Sequence, residues 1–112
     1  MFNRHFFRRN QELVVSAAIA LADFPAEAVV ASLATDGIDG ASDAAGGVAD
    51  RSSLARARAL GLAPAAAFLA ASDSHGFLAP LGDLIVTGPT GTNVVDLTVL
   101  LAGVAPAAAR TV

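Results

Sequence analysis

The sequence predicts a small α/β domain in which a mixed β-sheet of about three strands is flanked by helices. Short β-branched or apolar runs at 29–34 and 84–86 are each followed by a loop rich in glycine and hydroxyl side chains. Such loops are typical of the carboxyl ends of strands in α/β proteins. The segments between them carry helix-capping residues. The length of 112 residues allows one domain with a modest core.

The first helix is predicted over residues 11–22. Asn10 is a favourable N-cap, and Glu12 suits the positive N-terminal end of a helix. Pro25 prevents the helix from continuing. The apolar run that follows, residues 29–33, predicts a short strand covered on both faces.

After the first loop, Ser42 or Asp43 is predicted to cap a short helix that ends at Val48. Gly46 and Gly47 disfavour this helix by about 1 kcal/mol each relative to alanine, which makes sense if another backbone packs close to them. Further capping and strand signals predict helices over 53–60, 64–71 and 74–78, and strands over 84–87 and 94–101.

The composition argues against several classes of function. A net charge of −3 provides no basic face for nucleic acid, and the absence of lysine excludes a P-loop. Cysteine is absent, which fits a cytoplasmic protein. The apolar stretches at 13–34 and 97–109 are too interrupted or too short to span a membrane. Hydrophobic residues make up 54% of the chain but few are large, so we expect apolar surface left for a partner.

The first loop, residues 35–40, contains two aspartates, and a third follows it. Asp36, Asp39 and Asp43 can hold Mg²⁺ or accept a proton from a hydroxyl group. The alternative is a turn with an Asx-type hydrogen bond followed by a helix cap. The residue types alone leave both interpretations open.

The second loop, residues 87–93, has the glycines and hydroxyls of a phosphate-binding turn but lacks the Gly-Lys-Ser/Thr ending of a P-loop. A tight connection between antiparallel strands explains it equally well. Arg9 can form a fork with a carboxylate or phosphate, or simply be solvated beside the Asn10 cap. The run Asp73-Ser74-His75 is not a hydrolase triad, because adjacent residues cannot align in that geometry.

Taken together, these segments resemble the C-terminal domain of the glycerate 2-kinase family, called MOFRL, whose members are often labelled hydroxypyruvate reductase. Thr-Asp-Gly-Ile-Asp-Gly at 35–40 and Thr-Gly-Pro-Thr-Gly-Thr-Asn at 87–93 are its more specific motifs. The resemblance covers roughly residues 9–101, so residues 1–8 are predicted to lie outside the family domain and residues 102–112 to form an apolar tail. Phe7-Arg8 stand where the family usually has Gly-Gly. Matching residues lie at 9–13, 34–40, 43–46 and 81–94, with Asp73, Ser74, Phe77 and Asp96.

The resemblance implies ATP-dependent, Mg²⁺-assisted phosphorylation of D-glycerate at its 2-hydroxyl, in a cleft between this domain and a larger N-terminal domain. It implies a catalytic role for Arg9 on the anionic charge of substrate or phosphate, and for Asp36 as the acid that orients the hydroxyl or meets Mg²⁺. It assigns no metal ligands. The implied substrate- and phosphate-binding residues are Asn10, Thr35, Gly37, Asp39, Thr90, Gly91, Thr92 and Asn93.

Three functions remain open at this point. The first is a fragment of a glycerate 2-kinase that is inactive alone, because the N-terminal domain is needed to complete the site. The second is a non-catalytic interaction module that docks to a separately encoded N-terminal kinase domain. The third, hydroxypyruvate reduction, rests on the family label, since no Gly-x-Gly-x-x-Gly follows a strand here.

Overall fold

Four helices and four strands make up the part of the chain that the computed structural model describes, residues 8–40, 42–92 and 95–103. The helices are α1 (Arg9–Leu21), α2 (Ser53–Ala59), α3 (Ala65–Ala70) and α4 (Ser74–Leu81). The strands are β1 (Glu27–Ala34), β2 (Gly46–Asp50), β3 (Leu84–Ile85) and β4 (Asp96–Gly103).

The strands form one sheet in the order β3-β2-β1-β4, and every neighbouring pair is antiparallel. Val30 at the middle of β1 lies opposite Ala49 of β2 and Leu100 of β4. The predicted α/β class, with a small sheet flanked by helices, is confirmed. In detail the sheet has four strands and is antiparallel rather than mixed.

One face of the sheet packs against the helices. Along β1, Ala28, Val30, Ser32 and Ala34 are buried, whereas the residues between them are half-buried. This alternation follows from the two-residue period of a strand with one covered face. The core beneath the helices is built largely from Val14, Val15, Ala49, Phe77 and Leu78.

The edge strands of the described sheet are β3 and β4, and β4 is exposed along its whole length. Leu100 and Leu101 leave 61% and 63% of their surface in solvent. Among the described strands, β4 pairs on one side only, and an edge strand with large apolar side chains in water is an unusual surface for a monomer.

The predicted helix that ends at Val48 is wrong, because residues 46–50 form β2. A Cβ at Gly46 would overlap the carbonyl oxygen of Ser32 across the sheet, and one at Gly47 would lie 2.8 Å from Leu78 Cδ1. The two glycines therefore allow a strand and a helix to approach closely. This requirement comes from residues distant in the sequence.

The other predicted elements are present with shifted ends. The first helix begins at Arg9, so Asn10 lies within its first turn rather than at the N-cap. In α4 the predicted Asp73 cap is found, with its side chain accepting a hydrogen bond from Gly76 N. The segments predicted outside the family domain lie almost entirely beyond the described residues and stay predictions. None of the described helices is long and apolar enough to cross a membrane.

Candidate functional site

The two glycine-rich loops, which follow β1 and β3, lie against each other. Thr90 Oγ1 donates a hydrogen bond to the Thr35 carbonyl oxygen at 2.6 Å, and Thr90 N donates to the Asp36 carbonyl oxygen at 3.2 Å. Gly37 has a φ of +90°, and a Cβ there would overlap the carbonyl oxygen of Gly88. Glycine is thus required at position 37 both by its backbone conformation and by the close contact.

The start of β4 completes this contact. Thr35 N donates to the Val95 carbonyl oxygen at 3.3 Å, and Val95 N donates to Thr35 Oγ1 at 3.2 Å. The loops and β4 therefore form one surface at the end of the sheet where β1 finishes. Thr35, Gly37 and Thr90, which the resemblance implies are ligand-binding, are together on this surface.

Arg9, the first residue of α1, reaches the same surface. Its side chain is 80% exposed, and its Nη2 forms an ion pair with Asp96 Oδ2 at 2.9 Å. In the sequence, Asp96 has no predicted role beyond its place among the residues that match the family. An arginine that is held by one carboxylate yet open to solvent can also pair with an anionic ligand.

Asp36 forms the Asx-type turn that was the alternative to a functional role. Its Oδ1 accepts a hydrogen bond from Ile38 N at 2.9 Å. Its second carboxylate oxygen accepts no hydrogen bond from the described residues. The turn fixes the carboxylate, and the remaining oxygen is available to orient a hydroxyl group.

Asp39 lies beneath this surface and is 3% exposed. Its Oδ1 accepts hydrogen bonds from Asn10 N and Asn10 Nδ2, both at 3.1 Å, and its Oδ2 accepts one from Gln11 N at 2.9 Å. Asp39 therefore caps the first turn of α1 from a distant loop. The local cap residue, Arg8, provides no side-chain cap bond.

A chain of side chains continues from Asn10 into the sheet. Ser32 Oγ donates to Asn10 Oδ1 at 2.6 Å and lies 2.8 Å from Thr98 Oγ1. Asn10, Ser32 and Asp39 are all buried. Ser32 was not predicted as part of the site, because a serine in an apolar strand carries no local signal of this contact.

Among the described residues, the others predicted in the second loop make fewer contacts with the first loop. Gly91 and Thr92 are exposed, and Thr92 N donates to Thr90 Oγ1 at 3.3 Å. Asn93 lies outside the described residues. Within the described part of the loop, Thr90 makes hydrogen bonds to the first loop.

The three loop aspartates do not form a metal cluster in the described part of the chain. Asp36 binds its own turn, Asp39 binds α1, and Asp43 Oδ1 lies 3.2 Å from His75 Nε2 at the surface. Among the described residues no group of three or more His, Cys, Asp or Glu side chains can hold a metal ion. Near the loops, Asp36 and Asp96 each make their contact with the described residues through one carboxylate oxygen, to Ile38 N and to Arg9 respectively.

A separate charged network lies at the end of β2. Arg56 Nη2 contacts Asp83 Oδ2 at 2.7 Å and Asp50 Oδ1 at 3.8 Å. The Asp83 hydrogen bond, with the charges of both aspartates, raises the pKa of Arg56. Partial burial alone would raise the pKa of the Asp50 carboxyl, but hydrogen bonds from Ser52 and the nearby Arg56 charge outweigh it and lower that pKa. This network joins α2 to the sheet and is structural.

The comparisons with known proteins match this fold and these loops. The model of the MOFRL family matches residues 8–96. The chain belongs to the MOFRL family. Its relatives include a D-glycerate 2-kinase of Thermotoga maritima, 48% identical over 80% of this chain, and a glycerate 2-kinase of Pyrococcus horikoshii, 37% identical over 82%. An Agrobacterium vitis relative, 45% identical over 85% of the chain, carries the name of a hydroxypyruvate reductase.

A solved structure agrees with the sequence matches. The crystal structure of glycerate kinase from Thermotoga maritima superposes with a TM-score of 0.79 and 45% identity, over 85% of this chain and 22% of that one. The MOFRL chain spans about a fifth of the length of its relatives, 21% for the Thermotoga kinase and 20% for the Pyrococcus kinase.

Proposed function

We propose that this chain supplies the C-terminal part of a glycerate 2-kinase site, which phosphorylates the 2-hydroxyl of D-glycerate with ATP. The observation that carries the proposal is the shared surface of Arg9, Asp36 and the two loops in a MOFRL chain whose relatives are named glycerate 2-kinases. Because the chain spans about a fifth of those relatives, we propose that it is inactive alone.

Phosphoryl transfer depends on positioning and on neutralising negative charge rather than on covalent chemistry by the protein. The Arg9 guanidinium exchanges its Asp96 contact for the carboxylate of glycerate or a phosphate oxygen. The free oxygen of Asp36 accepts a hydrogen bond from the attacking 2-hydroxyl and orients it. The side chains of Thr35 and Thr92 lie beside the substrate. Thr90, whose hydroxyl and amide already donate to Thr35 and Asp36, holds the two loops together.

Mg²⁺ and ATP remain predictions for the complete enzyme. Mg²⁺ is commonly bound by one or two carboxylates together with substrate phosphates and water. Near the loops the described residues offer the carboxylates of Asp36 and Asp96, and the second is paired with Arg9. They do not form a magnesium site by themselves, because no group of three or more potential ligands lies together there. A cytoplasmic location also remains a proposal.

The decisive assay is turnover of ATP with D-glycerate and Mg²⁺. It is run on this chain alone and again after adding the part of the Thermotoga kinase that precedes the matched segment. Turnover only on addition supports the proposal. Turnover by the chain alone would contradict the need for the rest of the kinase. If the chain is folded but neither sample turns over ATP, the catalytic assignment is contradicted.

Arg9→Met tests the residue that the proposal depends on most. In the complemented mixture we expect turnover to fall by roughly 100-fold or more, because a charge placed on the reacting group is lost. Arg58→Met is the matched control, since Arg58 is an exposed arginine on α2, away from the loops. Equal activity of the two variants would show that Arg9 has no role in turnover.

The alternative function is an interaction module without catalysis, docking to a separately encoded N-terminal kinase domain. The exposed apolar β4, with Leu100 and Leu101 in solvent, favours a docking surface of some kind. Sedimentation of the same two-component mixture separates the two functions. A stable complex that turns over no D-glycerate supports the module, whereas hydroxypyruvate reduction would require reductase activity in that mixture.

A further inference from the structure

We propose that Asp39 is a positioning residue that sets Arg9 against Asp36, rather than a ligand for substrate or phosphate. The inference rests on the proposed function for the identity of the two residues positioned. The contacts of Asp39 themselves are independent of any substrate. It also revises the role that the family resemblance implies for Asp39.

The carboxylate of Asp39 has no room for a ligand. At 3% exposure it is shielded from solvent, and its two oxygens already accept three hydrogen bonds from Asn10 and Gln11. A substrate could reach it only if the first turn of α1 moved away. Breaking such charge-assisted bonds in a buried place is costly.

The position of the cap explains what it does. Arg9, Asn10 and Gln11 are the first three residues of α1, whose amide groups have no partner within the helix. The Asp39 carboxylate binds two of these amides and also faces the positive end of the helix dipole. Residue 39 thereby fixes the direction in which α1 begins, and Arg9 is the residue at that point.

The other end of the link is the first loop. Asp39 follows Asp36 by three residues, and its own amide donates to the Ala44 carbonyl oxygen at 2.8 Å, which holds the loop closed. Asn10 in turn is held by Ser32. Arg9 and Asp36, 27 positions apart in the sequence, are thus connected through one buried carboxylate.

The link is tested by amide hydrogen exchange and backbone chemical shifts on the intact chain carrying Asp39→Asn. We expect exchange at Asn10 and Gln11 to accelerate by roughly tenfold, the factor implied by loss of a carboxylate cap. We also expect shift changes at both Arg9 and Asp36. Exchange at the rate of the unaltered chain, or unchanged signals at Arg9 and Asp36, would overturn the proposal.

Asp73→Asn is the matched control, because Asp73 is also a capping aspartate but belongs to α4. It should accelerate exchange near Gly76 and leave the signals of Arg9 and Asp36 in place. If both variants moved the Arg9 and Asp36 signals equally, general loosening rather than positioning would be the cause.

The unaltered chain provides a measurement that does not depend on a variant folding. The amides of Asn10 and Gln11 should exchange more slowly than those of Leu54 and Ala55, which hold the same places in α2, a helix without a side-chain cap. Equal rates would contradict the cap.

Adding D-glycerate to the unaltered chain, complemented with the part of the Thermotoga kinase that precedes the matched segment, separates this proposal from the proposed function. A change in the carboxyl-carbon signal of Asp39 as large as that of Asp36 would make Asp39 a ligand and overturn the positioning role. If no signal responds to D-glycerate but the exchange results hold, the substrate assignment fails and the Asp39 link stands.

Discussion

On the helix-covered face of the sheet Phe77 and Leu78 are completely buried, whereas on β4 Leu101 leaves 63% of its surface in solvent. Both regions are apolar, and the register places β4 directly beside the central strand β1. The covered face contains the interactions that make this segment fold. The exposed strand offers apolar area that nothing within the described residues buries, as expected of a chain that spans a fifth of its relatives.

The strongest test of this comparison is a pair of truncations. Phe77→Ala should lower the free energy of unfolding by about 3–5 kcal/mol, because it leaves a cavity in the core. Leu101→Ala should change it by less than about 0.5 kcal/mol, because the side chain is already in water. Urea unfolding followed by circular dichroism measures both.

Similar losses from the two variants would mean that β4 is covered in solution, by a second copy or by another segment. Sedimentation of the unaltered chain would then distinguish a dimer from a monomer. If the chain is a monomer and the two variants lose equal free energy of unfolding, the exposure of β4 described here is contradicted.

Close packing on the covered side gives the second test. Gly46→Ala should destabilise the fold by about 1–3 kcal/mol or more, since the added methyl group meets the Ser32 backbone and cannot be accommodated by a side-chain movement. Gly103→Ala is the control, because a Cβ at that position meets nothing within 4 Å. The same urea curves report both variants, and a neutral Gly46→Ala would show that the two strands can separate freely.

The smallest expected effect concerns the charges at the end of β2. The pKa of Asp50 is lowered in the folded protein, so its contribution to stability is complete above the ordinary value of 3.8 and is lost as the pH falls through the folded pKa. The contribution is less than about 1 kcal/mol, because solvent screens a half-exposed carboxylate.

Asp50→Asn should therefore flatten the acid side of the stability curve between about pH 5 and pH 2. Asp23→Asn, in the exposed turn after α1, serves as the control. The measurement is the midpoint of thermal unfolding as a function of pH across that range. Parallel curves for the Asp50 variant and the unaltered chain would show that Asp50 makes no pH-dependent contribution to stability.

Much of the fold follows from local sequence signals, and the main failure has a physical cause. The helices over 53–60 and 64–71 were predictable from start and stop residues in the sequence, although neither helix has a side-chain cap hydrogen bond in the structure. The strand β2 was not, because the requirement for Gly46 and Gly47 lies in Ser32 and Leu78, which are distant in the sequence. Local propensity contains no information about such contacts.

The site shows the same limit. Both loops were identified from glycine and hydroxyl content, and they do lie together through Thr35 and Thr90. The partners that hold the site could not be identified, because Asp39 caps a helix that begins 30 positions before it and Asp96 pairs with Arg9 across the whole domain. The family resemblance identified which residues belong to the site. Only the contacts in the structure show that Asp39 is buried beneath the site while Arg9 is exposed on it.

The register of β4 has a consequence for the order in which this chain can fold. β4 pairs with β1 along its full length, with Glu27 opposite Gly103, so the contact closes a very long loop. On a ribosome β1 and β2 emerge well before β4, and one edge of β1 stays unpaired for the interval. During that interval the unpaired edge of β1 can pair with a strand of another chain, so nascent chains of this kind are prone to edge-to-edge association until β4 is in place.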